Sequence, residues 1–118
     1  MKGTNEMKVT NLRIEYQKNP IGLDVKKPRF SWKLLSEEQN VLQTAYQITV
    51  INGEEEVWNS GKEESSTSVL IEYSGPELER RTKYDVQVMV WDNKGKQSFV
   101  EGSFETGVLK GTNFQAVW

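Results

Sequence analysis

The chain has 118 residues, with 15 basic and 17 acidic side chains for a formal charge of −2, and contains neither His nor Cys. A single core serves a chain of this length, so one domain is expected, burying about two-thirds of its unfolded surface, and without Cys it has no disulfides or thiolate metal sites. The charges are interspersed rather than gathered into a basic stripe, which argues against nucleic acid, and no apolar run approaches the roughly 20 residues that cross a bilayer, which argues against a membrane.

Residues 1–7, MKGTNEM, are polar and read as a flexible leader, with Met7 as an alternative start. They lack the apolar region of a signal peptide, and the compartment stays open. A first strand is expected over 9–16, with Leu12, Ile14 and Tyr16 on one face. Asn19-Pro20 and Gly22 punctuate a turn. A second strand over 28–34 alternates Phe30, Trp32 and Leu34 inward, and Pro28 stands where a strand can begin without losing a ladder bond.

After the polar loop 36–40, a third strand over 44–51 directs Tyr46, Ile48 and Val50 to one side. Asn52-Gly53 follows, a pair that tolerates the positive φ of a tight hairpin, and a short partner strand should return over 55–58. A fifth strand is expected over 67–73, with Val69, Ile71 and Tyr73 sharing a face. Residues 82–98 hold the clearest alternation in the chain, Tyr84, Val86, Val88 and Val90 against Asp85, Gln87, Met89 and Trp91. Asp92-Asn93-Lys94-Gly95 then turns the chain into a last strand over 97–106, in which Gly102 marks a bulge or a close approach.

Seven strands and no helical period imply an all-β, seven-stranded antiparallel sandwich, with Trp32, Tyr46 and Tyr84 between the sheets. The order of features resembles an immunoglobulin-like or fibronectin type III-like β-sandwich. Leu78 six residues before Tyr84 resembles a tyrosine corner, whose hydroxyl bonds back to upstream backbone. The segments NLRIEYQKNPIGLDVKKPRFSW (11–32), QTAYQITV (43–50), WNSGK (58–62) and YDVQVMVWDNKG (84–95) resemble the amino-terminal domain of bacterial α-L-rhamnosidases, inverting glycoside hydrolases. FETG (104–107) and FQAVW (114–118) resemble the exit from that domain. The resemblance implies a sandwich over 8–108, an exit segment over 109–118 toward a downstream module, and catalysis by carboxylates of a barrel that this chain does not contain.

The residues themselves offer little chemistry. Without His or Cys, the commonest general base and the thiol nucleophile are missing. The acidic groups 37–38, 54–56 and 63–64 fall at expected turns or exposed strand faces, not as the facing pair that glycoside hydrolysis needs. No phosphate loop, zinc spacing or calcium loop is present, so no cofactor is expected. The candidate surface residues are Trp58, Met89, Trp91 and Trp118, whose strand alternation or terminal position leaves them partly exposed for module packing or sugar stacking. The chain is expected to be a non-catalytic accessory domain whose partners are other domains of the parent enzyme, and a monomer in isolation. The alternatives are a carbohydrate-binding module using these tryptophans and a generic protein-binding fibronectin type III module.

Overall fold

The computed structural model of the chain describes residues 8–36 and 40–109. Among these, the strands are β1 (Lys8–Ile14), β2 (Ile21–Leu23), β3 (Arg29–Leu35), β4 (Gln43–Asn52), β5 (Glu55–Asn59), β6 (Ile71–Glu72), β7 (Lys83–Asp92) and β8 (Gln97–Thr106). They form a three-stranded sheet ordered β1-β3-β6 and a five-stranded sheet ordered β2-β8-β7-β4-β5. The expected all-β sandwich is present, with eight strands instead of seven. The added strand is β2, which pairs parallel to β8, while the other pairings are antiparallel. Only three residues long, preceded by Pro20 and with the positive-φ Gly22 at its centre, it shows no alternation to read.

Period-2 patterning builds the core. Tyr84, Val86, Val88 and Val90 of β7 and Tyr46, Ile48 and Val50 of β4 turn inward, where they meet Ile14, Phe30 and Trp32 of the small sheet. Each such fully buried side chain contributes on the order of 1.5–3 kcal/mol. Trp32 stands edge-on to Tyr46 at 5.4 Å between ring centroids, and Phe104 stacks on Tyr84 at 5.3 Å. The tyrosine corner forms as expected: Tyr84 Oη accepts from the Glu79 backbone N–H at 2.8 Å. Gly102 is a close approach and not a bulge, since its pairing with Val86 is in register and an added Cβ would lie 2.9 Å from Leu12 Cδ2.

Three expectations are corrected. Tyr16 does not share the inward face of β1. Ile14 and Gln17 exchange backbone hydrogen bonds, closing a two-residue turn in which Glu15 and Tyr16 both have positive φ (52° and 69°), and Tyr16 is left 69% exposed. Val69 is likewise outside and 60% exposed, because Leu70 at φ 53° rotates the chain between it and Ile71, reducing the expected fifth strand to the two residues of β6. The hairpin after β4 places Gly53-Glu54 in the loop, with Asn52 paired to Glu55. Only Gly53 has positive φ there, the pattern of a type II′ turn and not the I′ turn of an Asn-Gly pair. The leader 1–7 and residues 110–118, including Trp118, lie outside the described residues.

Candidate functional site

Alternation decides where the predicted surface residues go, and it separates them. Trp58 of β5 pairs with the core residue Val50 and packs inward at the sheet edge, edge-on to Tyr73 at 4.9 Å. An added Cβ on Gly75 would lie 2.6 Å from the Trp58 ring, so the glycine is what lets the chain pass over the indole. Beside it lies a cleft of about 130 Å³ lined by Tyr46, Trp58, Ser60, Glu63, Ile71, Glu72 and Ser74, well below the roughly 300–1,000 Å³ of small-molecule sites. Its wall is structural: Glu63 and Tyr46 exchange backbone hydrogen bonds, and burial, with the charge of Glu63, pushes the Tyr46 hydroxyl pKa upward. Behind Trp58, burial pushes the Tyr73 hydroxyl up to about 12, and that hydroxyl donates to the Pro76 carbonyl.

Met89 and Trp91 lie on the opposite, outer face of the five-stranded sheet, beside Phe99, which pairs with Met89 and is 50% exposed. The indole there is already engaged. Its N–H donates to Gln97 Oε1 at 3.1 Å, and Lys62 Nζ sits 4.6 Å from the ring centroid, a cation–π contact. Gln97 Nε2 reaches back to Met89 Sδ at 3.7 Å. The hairpin that carries Trp91 is held by Asp92, whose Oδ1 accepts from the N–H groups of Lys94 and Lys96, and by Asn93, whose Oδ1 accepts from Leu42 N–H.

A larger feature, absent from the sequence reading, lies on the outer face of the small sheet. A groove of about 600 Å³ runs across β1 and β3, with Tyr16, Val69 and Leu70 among its walls and Asn11, Arg13, Ser31 and Lys33 along its sides. Two of its walls are the residues that alternation alone would have buried. Its backbone is strained, with Asn11, Tyr16 and Leu70 all in the left-handed region. Such conformations cost on the order of 1–3 kcal/mol each for non-glycine residues and persist only where the surroundings over-determine them. For Tyr16 the surroundings are an ion pair. Glu15 receives Arg29 in a fork, Nε to Oε2 at 3.0 Å and Nη2 to Oε1 at 2.9 Å, and accepts the Arg29 backbone N–H as well. These hydrogen bonds hold the Glu15 carboxyl below the usual carboxylate range, although burial opposes them. The guanidinium also lies 5.9 Å from the Tyr16 ring centroid.

A family model described as the Rha78A-like, N-terminal immunoglobulin domain matches residues 9–110. The chain belongs to this family. An α-L-rhamnosidase of Streptomyces avermitilis is 38% identical over 95% of the chain, and one from an Alteromonas species is 33% identical over 94%. Among solved structures, the crystal structure of the Streptomyces avermitilis α-L-rhamnosidase complexed with L-rhamnose superimposes with a TM-score of 0.83, covering 88% of this chain. The α-L-rhamnosidase of Dictyoglumus thermophilum gives 0.83 at 40% identity over 98% of it. The chain spans only 12% and 13% of the two sequence relatives and 11% and 14% of the two structures. The immunoglobulin domain is therefore similar to one small part of these enzymes.

Proposed function

We propose that this immunoglobulin domain is a non-catalytic module of a larger α-L-rhamnosidase, packing against neighbouring modules and fixing their orientation. The observation that carries this reading is the pair of coverages: nearly all of the chain aligns with about an eighth of each rhamnosidase. The chemistry on the chain is consistent with it. Glu63 and Glu72 do share a cleft, but at about 130 Å³ it is too small to seat a sugar between an acid and a base. Sugar stacking draws less support, since the Trp58 ring is packed on Tyr73 and Gly75, and Lys62 occupies the space over Trp91.

Two preparations test the reading, the 118-residue chain and the longer polypeptide, each assayed on an aryl α-L-rhamnoside. Turnover is expected only from the longer protein. Removing the domain should lower its melting temperature or yield. Hydrolysis by the short chain, abolished by Glu63→Gln or Glu72→Gln, would overturn it.

A further inference from the structure

We propose that the groove on the outer face of β1 and β3 is the docking surface for a segment of the same polypeptide downstream of β8, one that presents an apolar side chain beside a carboxylate. This rests on the reading of the chain as one module of a longer enzyme.

The groove has the size and lining of a docking surface. Its volume of about 600 Å³ is several times that of the cleft beside Trp58, about 130 Å³. Tyr16, Val69 and Leu70 expose 69%, 60% and 41% of their surface around one depression, and grouped apolar exposure of this kind marks an interface. Neither wall is free to fold inward: the Glu15–Arg29 fork fixes the Tyr16 turn, and Leu70 N–H donates to Ser31 Oγ at 2.8 Å.

Charge gives the second half of the match. Arg13 and Lys33 flank the groove and have no carboxylate partner among the described residues. A partner bearing an acidic group beside its apolar anchor would satisfy them and disfavour neutral or basic competitors.

Position admits an occupant in the same polypeptide. β8 leaves the sandwich against β2, where Gly107 N–H donates to the Leu23 carbonyl and Leu109 N–H to Asp24 Oδ1. Asp24 is eight residues from Tyr16, so chain reach alone keeps that exit within about 30 Å of the groove. A segment tethered there competes at an effective concentration near millimolar for a short flexible linker, well above that of a second free copy. The outer face of the five-stranded sheet fits less well, because Trp91 is already satisfied by Gln97 and Lys62.

The test places a photo-crosslinking p-benzoylphenylalanine at Tyr16 or Val69 in the longer polypeptide, with Phe99 as the control position, and maps cross-links by mass spectrometry. Both groove positions should cross-link within one chain to peptides beyond residue 118. The combined Arg13→Glu and Lys33→Glu variant should cut that yield by about fivefold or more; an unchanged yield would remove the carboxylate from the proposal. Cross-links between two copies, or their suppression by added rhamnose oligosaccharides, would overturn it in favour of self-association or a saccharide site. Cross-links from Phe99 alone would overturn this face while leaving the module reading standing, and none from any position would count against both.

Discussion

Gln43 shows how much one polar side chain can organise when it is buried. Its Oε1 accepts the Trp32 indole N–H at 2.9 Å, and its Nε2 donates to the carbonyls of Ser65 and Thr67 at 3.0 and 2.7 Å. The group thus satisfies the core tryptophan and ties the strandless crossing before β6 to β4. Replacement by Leu keeps the volume but orphans the buried indole donor and two partly buried carbonyl acceptors, with about 1–3 kcal/mol lost for each group left dry. Gln43→Leu is expected to cost about 2–4 kcal/mol in urea unfolding and to speed proteolysis between residues 64 and 68. A loss below about 0.5 kcal/mol would mean that water replaces the amide.

At the scale of elements, the turn after β1 is the unusual one. Tight hairpin turns with two positive φ values normally recruit Asn and Gly, yet here the central pair is Glu15-Tyr16. The Glu15–Arg29 fork is what offsets the strain. Because its partner lowers the Glu15 pKa in the folded state from the ordinary 4.5, the folded protein releases that proton more readily than the unfolded chain. The resulting stability is full above about pH 4.5 and is lost as pH falls through the lower folded value. Urea midpoints of wild type and Glu15→Gln should therefore differ at pH 7 and converge toward pH 3. An equal gap at both pH values would show that the carboxylate charge is not what holds the turn. The long strands β4, β7 and β8 carry no such conflict, and their spans were legible to within about two residues from alternation alone.

For the whole molecule, the two sheets are joined through aromatic rings, and Trp32 is central, 2% exposed and edge-on to Tyr46. Trp32→Ala is expected to cost about 3–5 kcal/mol. For a domain of this size that lowers the melting temperature by roughly 10 °C or more, and a drop below about 5 °C would place the residue outside the cooperative core. The sandwich also sorts the candidate surface residues. Trp58 goes to the inner face of the large sheet at its edge, and Met89 and Trp91 to the outer face of the same sheet, so they cannot form one platform.

Much was written locally in the chain. Strands whose neighbours on one face are all apolar had only one direction to turn, and Leu78 with Tyr84 announced the corner, because those features depend on residues within a few positions of one another. The family resemblance rested on contiguous segments in the same way. What only the tertiary structure decided depends on partners distant in sequence. Tyr16 and Val69 sit in runs that look inward, but left-handed residues at 15, 16 and 70 turn them out. The partners there, Arg29 for Glu15 and Ser31 for Leu70, lie 14 and 39 residues away. β2 needs β8 beside it to exist as a strand at all, since three residues around a positive-φ glycine have no pattern of their own. The groove is the product of those long-range choices. Periodicity reports which side chains could be buried, and packing between elements determines which of them are.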